Sequence, residues 1–332
     1  MWQRLARRCN AVDILVIGFS ILLVLLALLF PARVPMWPAV VATSSAIIAW
    51  LLALTTLRAR GGSSRGVRIL HDWAFAPIIY LIYFETHWVI GPIHLGWLAD
   101  DGLIAIDRAL FGGNPIAWFG RLAHPWLTEI AQVAYTLFYP LVIAVGVELY
   151  ARRSKAGFYL FDFACAFGFF VSYLGYLLVP AVGPRFTLYD FASIERDLPG
   201  VLLTPALREF VNLGGLVPTG VSKGVALGLA HRDVFPSGHT LMTLVSIWWS
   251  WHFRLRVRGA VTGVGTILIF ATVYLRYHYV IDVLAGAAVA GVCIWLTPAA
   301  YRLVTVRLRT RDFDALREGQ DPPKGTAGVV GA

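Results

Sequence analysis

The sequence predicts an all-α integral membrane protein of about eight transmembrane helices. Three observations carry that expectation. Hydrophobic residues make up 58% of the 332 positions and charged ones only 14%, where soluble globular domains carry roughly one-quarter charged residues. Eight apolar runs approach the length a helix needs to cross a hydrocarbon core of ~30 Å. Lysine and arginine cluster between alternate runs, as they do in membrane proteins that retain positive charge on the cytoplasmic side.

The first run, Ile14 to Phe30, follows Arg4, Arg7 and Arg8. It is too long for a cleavable signal peptide, and Pro31-Ala32-Arg33 makes a poor cleavage site. The second runs from Trp37 to Leu57 and the third from Ile69 to Ile90. Asp72, Glu85 and His87 lie in the third, and ionisable groups at membrane depth are functional suspects. Glu85 and His87 approach the outer end and are candidates for a cavity that admits an acceptor; a helix-helix hydrogen bond is the competing reading. The fourth run, Leu127 to Tyr150, sets Gln132, Tyr135 and Tyr139 on one helical face, as lining of the same cavity or as aromatic packing. Phe158 to Val179 is the fifth, with Asp162 near its cytoplasmic end. The sixth, His239 to Phe253, is short, so its histidine end lies below the headgroup plane. Gly259 to Leu275 and His278 to Pro298 complete the set.

Orientation follows from the basic residues. With a cytoplasmic amino terminus, the inner segments hold 19 of the 28 lysines and arginines, among them Arg58, Arg60, Arg65, Arg68, Arg152, Arg153, Lys155, Arg254, Arg256 and Arg258. Both termini are therefore expected in the cytoplasm. The Ala/Arg/Gly/Val-rich composition points to a bacterial inner membrane. The formal net charge of +9 is accounted for by this distribution, so nucleic acid is not an expected partner. Cys9, Cys165 and Cys293 have no metal-ligand spacing, and no metal or cofactor is expected.

Two outer loops are too long for plain turns, and long ordered loops usually carry function. Gly91 to Trp126 mixes tryptophans with Asp100, Asp101 and Asp107, suiting a segment along the headgroup layer. Ala181 to Gly238 holds Gly183-Pro184-Arg185, a helical stretch near Pro205 to Asn212 and a glycine-rich run, and reads as a lid. The chain divides into residues 1–68, two helices with a basic loop; 69–301, a catalytic core; and 302–332, a basic tail whose composition cannot bury a core.

The chemistry concentrates at Phe235-Pro236-Ser237-Gly238-His239 and, 39 residues after His239, at His278-Tyr279-Val280-Ile281-Asp282. Both stand at predicted helix starts. Ser237 suits an N-cap, which frees the backbone N-H groups of Gly238 and His239 for an anion at the positive end of the helix dipole. Asp282, four residues after His278, can reach back to its imidazole and fix one tautomer, leaving the other nitrogen free to attack phosphorus. The loop after the fifth span and the turn before the eighth open on the same, non-cytoplasmic side. Arg185, Ser237, Gly238 and Arg276 can therefore bind phosphate beside His239, His278 and Asp282.

These motifs resemble those of the type 2 phosphatidic acid phosphatase superfamily, whose pattern includes Pro-Ser-Gly-His and a later His-x-x-x-Asp, over the spans from Ile69 to Pro298. Asp107-Arg108-Ala109-Leu110-Phe111-Gly112-Gly113-Asn114-Pro115 looks like the inositol phosphorylceramide synthase branch and its bacterial relatives. The resemblance implies a six-helix catalytic core preceded by two extra helices. It implies His278 as the nucleophile of a phosphohistidine intermediate, Asp282 as its orienter, and His239 as the acid that protonates the leaving oxygen, with no metal. Two positions depart from the superfamily pattern. Leu178 stands where its first motif has lysine, and Ala271-Thr272 stand where its third motif has Ser-Arg. Both departures agree better with phosphotransferases than with simple phosphatases.

The expected activity is transfer of a phospho-headgroup from a lipid phosphate donor to an alcohol such as inositol or another polyol. The alternative is hydrolysis of the same bond, with water as acceptor. A lipid transporter or scramblase would show broken midplane helices and paired repeats, and neither pattern is present. A vanadate-dependent haloperoxidase shares the anion pocket, but such enzymes are soluble.

Overall fold

The computed structural model describes residues 6–59 and 63–312. Residues 313–332, which hold most of the expected tail, lie outside the described residues, as do Arg4 and Arg60. Among the described residues the structure is helical and contains no strand. In chain order the helices are α1 (Ala11–Leu29), α2 (Trp37–Ala59), α3 (Arg65–Asp72), α4 (Phe75–Ile93), α5 (Asp100–Phe111), α6 (Pro115–Gly120), α7 (Pro125–Thr136), α8 (Phe138–Ala151) and α9 (Lys155–Leu178). They continue with α10 (Pro184–Thr187), α11 (Ile194–Asp197), α12 (Thr204–Gly214), α13 (Lys223–Leu229), α14 (Gly238–His252), α15 (Arg258–Tyr274) and α16 (Val280–Leu308).

The protein is a membrane protein: among the described residues five helical segments are long and apolar enough to cross a bilayer, and the pair α7 and α8 makes a sixth if counted as one bent span. The remaining two expected spans are the 15-residue α14 and the 17-residue α15. Proline explains two breaks, because its ring displaces the carbonyl four residues earlier. Pro140 acts on Thr136, where α7 ends and the chain bends by 49° into α8. Pro77 acts on Trp73, between α3 and α4. The last helix extends past Arg302 to Leu308, so the expected tail begins as helix.

The chain forms two compact units. Among the described residues, unit 1 comprises 6–59, 63–96, 146–171 and 292–312. In it α1 packs on α2 and α4, and Asn10 and Asp13 close the start of α1 with reciprocal side-chain bonds of 2.7 and 2.8 Å. Its interior holds a polar network: the His71 ring bonds Asp13 at 2.9 Å and Arg58 at 2.8 Å, Arg58 pairs with Asp72, and the Tyr159 hydroxyl bonds Asp72 at 2.9 Å.

Unit 2 comprises residues 97–145 and 172–291. In it α7 packs on α15 and α12, and α14 packs on α15. One apolar cluster joins Ala131 and Tyr135 of α7 to Leu198, Ala271, Tyr274 and Tyr277. A second joins Leu103 and Ile116 to Val234, Val273 and Tyr279. Burial of these side chains stabilises the unit by roughly 1.5–3 kcal/mol per large residue and holds the ends of α14 and α16 together.

Candidate active site

The site lies within unit 2 and is built on two helix starts. At the first, Ser237 caps α14: its Oγ accepts the Thr240 N-H at 3.2 Å, and its own N-H donates to the Asp282 carbonyl at 3.0 Å. The second helix start is thereby tied to the first. Gly238 has to be glycine, since a Cβ there would stand 2.3 Å from the Tyr176 hydroxyl and 2.9 Å from the Ser172 Oγ. The side chain of Ser237 is wholly buried in this capping role, so among the expected phosphate ligands its hydroxyl is spent on the helix.

At the second start, α15 ends in a tight turn. The Tyr277 and His278 N-H groups both return to the Thr272 carbonyl, at 3.0 and 2.9 Å. Arg276 takes the left-handed conformation, φ 66°, a position that favours glycine and costs a side chain on the order of 1 kcal/mol. Arg153, Arg254 and Arg309 close other helices in the same conformation, and a cation there suits the negative end of the helix.

Two aspartates from α5 hold this turn. Asp100 accepts the Val182 and Gly183 N-H groups at 3.0 and 2.9 Å and the Tyr279 hydroxyl at 2.8 Å. Asp107, two helical turns on, accepts the Val280 and Ile281 N-H groups at 3.0 and 2.8 Å and so caps α16 from outside. Burial pushes the Asp107 carboxyl above the usual range, against the pull of those two donors. Both were expected on the headgroup layer; both are buried, and only Asp101 is exposed. Sequence reading missed their role. Their seven-residue spacing, which puts them on one helix face, was the available signal.

The two imidazoles meet with ring centroids 5.7 Å apart, edge to face. His278 is buried, and its Nδ1 lies 3.0 Å from the Val234 carbonyl oxygen. A carbonyl can only accept, so Nδ1 carries the proton and Nε2 keeps its lone pair. Asp282 stands 3.6 Å from the same Nδ1 and spends that oxygen on the Tyr279 N-H at 2.7 Å. The expected Asp282 hydrogen bond is therefore replaced by the Val234 carbonyl, with the carboxylate as a neighbouring charge. Its other oxygen, Oδ1, is buried with no partner among the described residues. His239 is held by aromatic contact: Tyr135 stacks on it at 4.5 Å and Phe138 tilts over it at 4.4 Å.

The arginines are engaged by the segment 181–238. Arg276 donates to Asp197 at 2.8 Å and lies 3.8 Å over the Tyr189 ring. That bond holds the Asp197 carboxyl below its ordinary range. Arg185 donates to Asn212 at 3.0 Å, lies over Phe186 and Tyr277, and is joined through its N-H to the Arg276 carbonyl at 3.0 Å. Glu129 of α7 anchors the same segment by accepting the N-H groups of Val201, Leu202, Leu203 and Thr204. Asp197, Asn212, Glu129 and the Val234 carbonyl carry no signature in the sequence.

Of the expected cavity residues, Tyr135 reaches His239, while Tyr139 packs on Phe138. Gln132 is fully buried, and neither atom of its amide has a partner among the described residues. Glu85 and His87 belong to unit 1, where the Glu85 carboxylate bonds Thr43 and Ser44 of α2, the helix-helix reading. Among the described residues no three His, Cys, Asp or Glu side chains gather to hold a metal ion.

A family model described as PAP2 superfamily matches residues 101–296. A PA-phosphatase related-family protein of Dictyostelium discoideum is 26% identical over 238 residues, covering 64% of this chain and 40% of that protein. The chain thus spans about two fifths of the length of that relative. No solved structure matches the chain.

Proposed function

The chain belongs to the PAP2 superfamily, and from that premise we propose that it cleaves lipid phosphate esters through a phosphohistidine and passes the phospho-group to an alcohol. The observation that carries the reading is the pair of imidazoles 5.7 Å apart, one with its Nδ1 proton committed to the Val234 carbonyl.

In the first step the His278 Nε2 lone pair attacks phosphorus. The N-P bond forms, the bond from phosphorus to the leaving oxygen breaks, and that oxygen takes the proton of His239. The ring becomes cationic as it is phosphorylated, and the Asp282 carboxylate 3.6 Å away offsets that charge. Arg185 and Arg276, released from Asn212 and Asp197, face the phosphoryl oxygens. In the second step the acceptor hydroxyl gives its proton to His239, its oxygen attacks phosphorus, and the N-P electrons return to Nε2. No metal takes part in either step.

The acceptor decides between transferase and phosphatase. Burial of His278 disfavours water, and the unpartnered Gln132 amide suits an alcohol such as inositol or another polyol. This agrees with the likeness of 107–115 to the inositol phosphorylceramide synthase branch. The hydrolytic reading is favoured by the name of the Dictyostelium relative, a PA-phosphatase related protein. By the charge count the site faces the non-cytoplasmic side with both termini in the cytoplasm, and by composition the membrane is a bacterial inner membrane. The deciding experiment incubates the purified protein with a labelled phospholipid, with and without inositol. A phosphorylated inositol that forms only when the alcohol is supplied is expected. Free phosphate in both arms makes the protein a phosphatase, and turnover by His278→Ala at the normal rate removes the phosphohistidine.

A further inference from the structure

Unit 1 contains a cavity of about 550 Å³ lined by residues of α3, the end of α8 and the start of α9, within the size range of small-molecule sites. Four cations line it: Arg65, Arg68, Arg153 and Lys155. All four are exposed, and none has an acidic partner among the described residues. Asp72 is the one carboxylate in the lining. Its charge is already met by Arg58, and its oxygens accept the Tyr159 and Tyr150 hydroxyls at 2.9 and 3.0 Å. The wall therefore keeps a net positive charge that nothing among the described residues of unit 1 neutralises. The residue before Arg153 makes the contrast: Arg152, outside the lining, is paired with Glu148.

The remaining wall is apolar, with Ile69 and Phe158, and Arg153 is set in the left-handed turn that closes α8. A cationic rim over an apolar wall fits an amphiphile with an anionic head. The four cations also lie in the two loops that the charge count puts in the cytoplasm, where anionic lipid headgroups attract basic clusters at about 1 kcal/mol per residue. We infer that this cavity is a second, non-catalytic site for a phosphate-bearing anion, filled by the headgroup of an anionic phospholipid. The inference does not rest on the catalytic reading.

The test uses the full chain, purified in neutral detergent and reconstituted into phosphatidylcholine nanodiscs with and without phosphatidylglycerol. Retained phosphatidylglycerol is counted by native mass spectrometry. The wild type retains the anionic lipid, and Arg65→Gln/Arg153→Gln/Lys155→Gln binds it at least about tenfold more weakly. These side chains are exposed and unpaired among the described residues, so the variant keeps its fold, and each single substitution weakens binding about threefold. A control, Arg254→Gln/Arg256→Gln/Arg258→Gln, removes equal charge from another basic loop and keeps wild-type binding. Equal retention by wild type and lining variant overturns the site, and equal loss in the control reduces it to general surface charge. Inorganic pyrophosphate distinguishes the sources: failure to displace the lipid supports a headgroup site, and displacement at low concentration overturns the lipid assignment in favour of a soluble phosphate ester.

Discussion

Each unit of this molecule buries a histidine beside a carboxylate and surrounds it with arginine and tyrosine, yet the two clusters leave different chemistry available. In unit 1 the His71 Nε2 bonds Asp13 and its Nδ1 bonds Arg58. Arginine only donates, so Nδ1 must accept and Nε2 must carry the proton, which exhausts the ring. In unit 2 the Val234 carbonyl takes only Nδ1 of His278. The Asp282 Oδ1 and the Gln132 amide are likewise unpartnered among the described residues. The same residue types thus give a fully bonded imidazole in one place and, on the proposed reading, a nucleophile in the other. The difference lies in the rings: both nitrogens of His71 are bonded, whereas among the described residues only Nδ1 of His278 is.

The largest effect expected from this contrast is at the two histidines. His278→Ala lowers turnover by at least about 10³-fold, as loss of a nucleophile does elsewhere, and leaves the thermal midpoint near that of the wild type. His71→Ala does the reverse. It strands Asp13 and Arg58 and lowers stability by about 3 kcal/mol, while turnover per folded molecule stays within about threefold. Steady-state rates and melting curves of both variants check this, and a folded, inactive His71→Ala protein breaks the comparison.

The contrast also explains what the sequence made legible. The meeting of His239 with His278 follows from two motifs at helix starts whose loops open on one side, which hydropathy and charge reveal. The Pro140 bend was within reach of the sequence too, though the apolar run from Leu127 to Tyr150 masks it. What holds His278 was not legible, because the Val234 carbonyl is backbone and carries no residue signature. The arginine partners Asp197 and Asn212 sit on the short helices α11 and α12, whose placement depends on tertiary contacts, including the Glu129 anchor. Asp100 and Asp107 misled because aspartate beside tryptophan reads as surface, whereas here each carboxylate is spent on buried backbone donors. Glu85 illustrates the opposite hazard: a charged residue at membrane depth invites a functional role, and Thr43 and Ser44 account for its bonds.

Asp282 gives the next largest effect. With the Val234 carbonyl holding the ring, Asp282→Asn leaves the tautomer in place and removes only the neighbouring charge. The expected loss in kcat is about 10²-fold, smaller than the roughly 10⁴-fold seen where a carboxylate itself orients the imidazole. A loss of the larger size makes Asp282 the orienter after all.

Acid stability follows, through His231. Burial, then the charges of Arg185 and Arg232, push its imidazole down to about 3. The unfolded chain binds this proton near pH 6.5 and the folded one only near 3. The stability its neutrality confers is therefore whole above the unfolded value and declines as pH falls below it. At pH 5 the loss is about 2 kcal/mol. His231 precedes Val234 by three residues, so protonation loosens the segment that carries the carbonyl holding His278. His231→Leu flattens the fall in melting temperature between pH 7.5 and 5. A fall as steep as that of the wild type assigns acid sensitivity to another group.

The smallest effect separates the two arginine-aspartate pairs. Arg58 and Asp72 have side chains 5% and 7% exposed, so the pair is permanently inside unit 1. Arg276 is 8% and Asp197 27% exposed, so the second pair is open to water on its carboxylate side, and the proposed reaction exchanges that carboxylate for a phosphate. Because Arg276 holds Asp197 below the usual carboxylate range, the contact persists through neutral pH and is lost only as pH falls through that lowered value. Asp197→Asn weakens the competitor for Arg276. The KM for a lipid phosphate falls about threefold, consistent with the modest worth of an exposed pair, kcat changes little, and the melting curve does not move. Asp72→Asn, by contrast, lowers the melting temperature and leaves KM alone. A raised KM in Asp197→Asn means that the carboxylate positions Arg276 for the phosphate rather than competing with it.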